Sequence, residues 1–411
     1  MRAAVFSIGT EITRGELLNT NANWLAAKLT DLGFEVTRMD CVDDDIPRIQ
    51  LSLKELAREH GIIICTGGLG PTTDDMTAEA VAGLLGVPLV RDDASLADIA
   101  EKFRLFGRPM AKSNEKQADF PQGATVIPNA WGTAPGFSAA IGTSRAYFTP
   151  GVPKEMNKLF DTIISKEIEP LAPQNMHQIR MLTYGRGESD VADMLGGIEH
   201  ENPGITIGYR AHFPEIEVKV IARATDRASA TTLAEKGAVI VRRRLGDLIL
   251  GEGKGRLPQI TAAELRAKKL TLALAESCTG GLVSQMLTDD PASDYFLGGS
   301  VTYANSAKEA LLGVPNELLV KYGAVSEEVA QAMASGIRER LGSTIAVSIT
   351  GIAGPTGGSD EKPVGTVHIG VSTAKETKSY KYQFRGDRWR IQRHAAHQAL
   401  KLIVLCARAF P

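Results

Sequence analysis

Two glycine-rich turns hold the residues whose types and spacing could do chemistry. The first, TGGLGPTTDD at Thr66 to Asp75, sets Gly67, Gly68 and Gly70 beside the hydroxyls of Thr72 and Thr73 and two adjacent carboxylates, Asp74 and Asp75. Glycines let backbone amides approach a ligand closely, so this composition suits a phosphate cradle, with Pro71 expected to preset a following helix. Carboxylates repel a bare phosphate but fit where a divalent cation bridges carboxylate and phosphate oxygens, and a metal is therefore implied. Acidic residues also favour a helix N-terminus, which gives Asp74 and Asp75 a purely structural alternative. Glu11, in IGTE, is either a further carboxylate for the cation or an ordinary loop charge. Lys154, in TPGVPKEM, either meets phosphate or is a solvated surface lysine, and NAWGTAPGF at Asn129 to Phe137 is expected to wall the same cleft. One of Asn19 and Asn21 in NTNANWL reads as a helix cap.

The second turn, ESCTGG at Glu276 to Gly281, offers an alcohol instead. Ser277 leaves the apolar run LTLALAE and enters Cys278, Thr279, Gly280 and Gly281, so its hydroxyl is expected at a helix N-terminus beside free amides. A serine nucleophile needs a base. Lys308, in VTYANSAKEALLG, serves if burial or its neighbours lower its pKa, with Tyr303 relaying the proton and amides holding an oxyanion. The structural alternatives are an N-cap serine and a solvated helical lysine. Cys278 is a rival nucleophile, but no histidine lies nearby in sequence to activate a thiolate. Further on, ITGIAGPTGGSDEKPVGTVHIGV supplies Thr350, Gly351 and Gly354 in a loop that can hold a phosphate without a metal.

Both turns need buried strands that end at them. From Ala3 to about Phe160, strand-like runs (AAVFSIG, FEVTRMD, GIIICTGG) alternate with amphipathic helical ones, a βαβ series that favours a doubly wound parallel sheet with ligands at the carboxyl ends of strands. A smaller segment with strands QIRMLTYG, GITIGY and EIEVKVIARA reads as a compact α+β module. GEGKGRLP reads as a linker to a third α/β unit, dividing the chain into 1–170, 171–252 and 258–411. With 411 residues and 43% hydrophobic content, each can bury an ordinary core. A formal charge of -2 leaves no global field to attract nucleic acid or an anionic membrane, so anion recognition must be local and the ligand small. No apolar run reaches spanning length and no leader is evident, which reads as cytoplasmic, and the four scattered cysteines read as reduced core thiols.

IGTE with GELLNTN, TGGLGPTTDD, SNEKQADFP, GTAPGF and PGVPKEM resemble the N-terminal domain of the competence/damage-inducible CinA family, and AESCTGG, VTYANSAK, TGIAGPTGG and KPVGTV resemble its C-terminal domain. The resemblance covers essentially the whole chain. It implies a molybdopterin-binding-like N-terminal fold that hydrolyses ADP-ribose to AMP and ribose 5-phosphate with a divalent cation (Mg, Mn or Co). It implies a C-terminal domain that needs no metal and deamidates nicotinamide mononucleotide to nicotinate mononucleotide and ammonia, between them a KH-like module, and a homodimer. By the same resemblance Ser277 is the nucleophile, Tyr303 and Lys308 activate it, and Thr279, Gly280, Thr350, Gly351 and Gly354 line the ligand loops. The family's phosphate-binding arginine falls within FRGDRWRIQR, among Arg385, Arg388, Arg390 and Arg393, and Arg388 is chosen. A regulatory protein that binds nucleotides or pterins without turnover is the alternative, and a pterin or nucleotide transferase a third that leaves the C-terminal unit unexplained.

The middle module shows no catalytic constellation. Arg186, Glu188 and Asp190 in YGRGESD read as a turn and helix start, and His212 as a loop histidine. It has neither the GxxG loop nor the basic face that nucleic-acid binding would want.

Overall fold

Runs of β-branched and aromatic residues with no polar face, such as AAVFSI and IIICT, can satisfy themselves only inside a sheet covered on both sides. The computed structural model describes residues 1–173, 175–289, 291 and 293–410 and places these runs at the centre of the first of two compact units, Met1–Gln174 and Asn175–Pro411. The strands of the first unit are β1 (Arg2–Ile8), β2 (Glu35–Val42), β3 (Ile62–Thr66), β4 (Leu89–Arg91), β5 (Asp119–Pro121), β6 (Thr125–Ile127), β7 (Gly136–Ile141) and β8 (Ser144–Thr149). The main sheet runs β2-β1-β3-β8-β7-β6, its first four strands mutually parallel, while β4 and β5 form a separate ribbon. Phe6, Ile63 and Cys65 pack under the helix Ile46–Glu59, and Val5, Ile62 and Ile64 under the helix Thr20–Leu32, so the sheet is covered on both faces.

Chain order against sheet order locates the ligand end. From β1 the chain steps outward to β2 and then returns to the other side as β3, so the carboxyl ends of β1 and β3 flank a switch point. The turns after Ile8 and Thr66 both emerge there.

The second unit holds two sheets. β9 (Met176–Tyr184), β10 (Ile205–His212), β11 (Glu215–Arg223) and β12 (Ile249–Glu252) form an antiparallel sheet in the order β10-β11-β9-β12, backed by the helix Arg227–Leu245 through Ala238, Val241 and Leu245. β13 (Leu272–Glu276), β14 (Phe296–Val301), β15 (Ile345–Gly351), β16 (Thr366–Thr373) and β17 (Thr377–Gln383) form the other, ordered β14-β13-β15-β16-β17. The pairs of β13 with β14 and β15 are parallel, and those along β15, β16 and β17 antiparallel. Leu272 and Leu274 face the helix Arg388–Ala409, and Ala273 and Ala275 face the helix Glu327–Leu341. β13 is again a switch point, because the chain goes first to β14 on one side and then to β15 on the other.

Three expectations change. The middle segment has a buried cluster of its own around Val218 and Val241 but also shares core with the C-terminal sheet: Leu182, Tyr184 and Leu250 belong to the same buried cluster as Leu272 and Leu400, and the Tyr184 hydroxyl donates to the His394 carbonyl at 3.0 Å. The supposed linker shrinks to residues 253–256, since Gly251 and Glu252 complete β12 and Leu257 and Pro258 open the helix Leu257–Ala267. His212 ends β10 rather than lying in a loop, whereas Glu188 and Asp190 do open a helix, Glu188–Leu195. Among the described residues, no helix is long and apolar enough to cross a membrane.

Candidate active site

At the end of β13 the backbone N–H of Ser277 still donates to the Ile349 carbonyl of β15 at 2.9 Å, so the serine is fixed by the sheet before the chain turns away. Opposite it, Lys308 on the helix Asn305–Leu312 is 1% exposed, and its Nζ lies 3.2 Å from Ser277 Oγ. The same nitrogen donates to the carbonyls of Thr302 at 2.7 Å and Tyr303 at 3.3 Å. Burial lowers the Lys308 pKa. A neutral amine has two N–H groups and one lone pair. The two carbonyls take the first and leave the lone pair for the serine proton, which is the geometry of a general base.

The rest of the turn departs from expectation. The helix after it, Leu282–Thr288, starts well beyond Ser277, and its first amides are not free. The fully buried Glu276 carboxylate accepts from the backbone N–H groups of Gly281, Val283 and Ser284 and from the Ser284 hydroxyl. Ser277 therefore does not sit at an open helix N-terminus. Glu276 occupies that terminus and thereby holds the turn that presents the serine, a role concealed in the sequence because alternation alone does not show that the last strand residue points back under the turn. Burial pushes the Cys278 thiol up to about 12, which disfavours the thiolate a cysteine nucleophile needs.

Tyr303 also takes a different part from the one foreseen. Its carbonyl, not its hydroxyl, touches Lys308, and the hydroxyl accepts from Arg388 Nη2 at 3.0 Å on a side chain that is largely exposed. Arg388 opens the helix Arg388–Ala409 and reaches back to the Gly354 carbonyl at 2.9 Å. It thus joins the loop after β14 to the loop after β15. Among the candidate arginines, Arg390 lies over the Phe213 ring and Arg393 over Trp389, whereas Arg388 reaches the loop after β14. Gly354 has φ +79° and Gly280 φ +64°, both in the left-handed region. At Gly351 a Cβ would lie 2.7 Å from Val367 and 3.1 Å from Cys278 Sγ, so this glycine is needed for packing. Thr350 donates its hydroxyl to the Ala324 carbonyl, while Thr279 Oγ1 is buried with no protein partner among the described residues.

The first unit's turn is built differently from its expected form. Its helix begins at Thr77, not after Pro71, and Thr77 ties back through its N–H to the Gly68 carbonyl and through its hydroxyl to the Gly67 carbonyl. Gly67, at φ +108°, passes so close to β1 that a Cβ would lie 2.0 Å from the Ile8 carbonyl oxygen. Asp75 folds over Gly70, accepting from the Thr72 N–H at 2.8 Å and the Thr72 hydroxyl at 2.5 Å, and so closes the loop with one of its oxygens. Asp74 stays exposed, and the Glu11 carboxylate lies against Gly9. No three His, Cys, Asp or Glu side chains converge as a metal-holding group among the described residues, so Glu11, Asp74 and Asp75 are not a preassembled ligand set. Lys154 is exposed near the start of the helix Pro153–Leu159.

Other residues hold this cleft together. Lys116, within SNEKQADFP, donates to the Thr72 and Asp75 carbonyls and so braces the loop. Asn19 caps the helix Thr20–Leu32, and the buried Asn21 ties Thr66 to the Gly151 carbonyl. Asn129 donates to Glu155 at 2.7 Å, which brings the NAWGTAPGF and PGVPKEM loops together. Their polar side chains carried the signal, but not the partner.

The fold and the serine end of β13 define the class: an α/β protein with ligand ends at two switch points, one of them carrying a Ser–Lys pair. A probable molybdopterin binding domain matches residues 4–170, the damage-inducible protein CinA KH domain residues 179–251, and the CinA C-terminal domain residues 255–406. A CinA-like protein of Anaeromyxobacter dehalogenans is 41% identical over 99% of this chain and 100% of its own length, and one of Geobacter sulfurreducens is 43% identical over 97% and 98%. The CinA of Thermoplasma acidophilum, a solved structure, is 35% identical over 40% of this chain and 96% of its own, with a TM-score of 0.38. The chain belongs to the CinA-like protein family.

Proposed function

We propose that the second unit hydrolyses the carboxamide of nicotinamide mononucleotide, giving nicotinate mononucleotide and ammonia. The observation that carries this reading is the buried Lys308 amine, with its N–H groups committed to two carbonyls, 3.2 Å from the Ser277 hydroxyl. Lys308 takes the serine proton as Oγ attacks the amide carbon. The lysine then gives that proton to the departing nitrogen, the C–N bond breaks, and ammonia leaves an acyl-serine. Water, activated by the same amine, cleaves the ester and restores the serine. Arg388, beside Gly354, is the cation for the nucleotide phosphate. No step in this sequence calls for a metal.

In the first unit the reading is hydrolysis of ADP-ribose to AMP and ribose 5-phosphate, supported by the braced glycine turn at a switch point. Magnesium-like cations are commonly held by one or two carboxylates plus phosphate oxygens, so the exposed Asp74, with the outer oxygen of Asp75, fits a cation that arrives with its substrate. The cation would neutralise charge on the diphosphate. Purified protein should release ammonia from nicotinamide mononucleotide with or without chelator, whereas ADP-ribose cleavage should need added Mg, Mn or Co. Equal inertness of the wild type and Ser277→Ala toward the mononucleotide would refute the amidase reading. A homodimer in the cytoplasm is proposed with it.

A further inference from the structure

The turn between β10 and β11 carries Phe213 out of the middle sheet and onto the start of the helix Arg388–Ala409. Its ring stacks on Trp389, with centroids 5.5 Å apart and planes 24° apart, and meets the His394 ring edge-on at 4.9 Å. Arg390 lies over the same Phe213 ring, and Arg393 lies over Trp389. His394 in turn stacks on Phe384, and Phe384 on Tyr382, so a row of rings runs from the turn across the helix to the end of β17. The base of the turn is fixed as well. Glu215, the first residue of β11 and fully buried, accepts from the Leu257 N–H and pairs with Arg256.

A helix is least secured in its first turn, where the N–H groups have no carbonyl of the helix behind them. Here that turn closes on Asp387, whose carboxylate accepts from the Arg390 N–H at 2.8 Å and whose carbonyl accepts from the Ile391 N–H at 3.0 Å. Arg388 is the first helical residue, and Trp389 and Arg390 follow it directly. Trp389 is 54% exposed, so its hold comes from the rings and cations around it more than from the core beneath. Phe213 touches both residues that follow Arg388, and it comes from a different sheet.

We propose that Phe213 is a positioning residue for Arg388: by clamping Trp389, the turn between β10 and β11 holds the guanidinium in place for the mononucleotide phosphate. The inference rests on the phosphate reading of Arg388 and gives the middle sheet a part in it. Phe213 acts through the first turn of the helix and not on the reacting atoms, so its loss is felt in substrate capture and not in the chemical step.

The test uses the full-length protein with Phe213→Ala and Trp389→Ala, measuring ammonia release from nicotinamide mononucleotide, melting temperature and amide hydrogen exchange. Each variant should raise KM about fivefold while kcat stays within about twofold, and the double variant should be no worse than either single one. Phe213→Tyr, which keeps a ring to stack, should return KM to the wild-type value. Exchange at the Arg390 and Ile391 amides should quicken in both single variants. If Phe213→Ala lowers the melting temperature, Trp389→Ala, made at an exposed position, decides. A KM unmoved by the single variants, effects that add in the double variant, or unaltered exchange at those two amides overturns the proposal. A wild type that releases no ammonia removes the amidase reading alone. Exchange then decides the clamp: quicker exchange in Phe213→Ala and Trp389→Ala supports it, and equal exchange overturns it.

Discussion

At the scale of residues, the pair Ser277 and Lys308 makes the sharpest claims. Replacing Ser277 with Ala should cost the amidase about 10²-fold or more in kcat, measured as ammonia release, with little change in mononucleotide affinity. Cys278→Ala should stay within a few-fold of wild type, because burial keeps that thiol protonated. The pH profile carries a sign of its own. The base works only when neutral, and burial lowers the pKa of Lys308, so kcat/KM should rise with pH through a single ionisation below the ordinary lysine value and level off above it. A profile that falls over that range would exclude an amine base. Ser277 and Lys308 were only partly legible: the residues alone left an N-cap serine and a solvated helical lysine open, and the family resemblance named the pair that the fold brings to 3.2 Å. Their partners were not: the Tyr303 hydroxyl turned to Arg388 and the Asp75 carboxylate turned to Thr72, choices decided by side-chain direction that a one-dimensional pattern does not contain.

At the scale of elements, the two turns depend on what lies under them. Glu276 satisfies three amides and one hydroxyl from full burial, and Gln offers one carbonyl oxygen and brings an NH2 that would face N–H donors. Glu276→Gln should therefore destabilise the protein by about 1–3 kcal/mol in denaturant titration and lower kcat through misplacement of Ser277. In the first unit, Gly67→Ala forces a Cβ against the Ile8 carbonyl at a positive φ, and a loss of more than about 2 kcal/mol is expected. The strands β1, β2 and β3 and their parallel pairing were readable from the alternation of apolar runs, whereas the antiparallel β6 and β7 were not. The delayed helix starts at Thr77 and Leu282 were not, because Pro71 and Ser277 both imitate helix-start residues while the true first turns begin several residues later.

At the scale of the whole molecule, the boundary that composition suggested near Gly253 runs through shared core. Glu215, buried on β11, accepts from the Leu257 N–H and pairs with Arg256, and Tyr184 reaches His394, so the middle sheet closes one side of the C-terminal core. A fragment 258–411 should melt at a lower temperature than 175–411, and a calorimetric scan of the two decides it. Equal melting temperatures would show that the middle segment is only appended. Glycine-rich composition marked a change of sheet correctly, but it could not reveal that four residues are too few to separate two bodies whose apolar surfaces are already fused.

Arg388 leads to a last consequence. Its guanidinium fastens the Tyr303 hydroxyl on one rim to the Gly354 carbonyl on the other. Each of those nitrogens keeps a second N–H, so an anion bound there as proposed would meet a cation already held in place and tie both rims together, and by reciprocity whatever loosens the rims would weaken its capture.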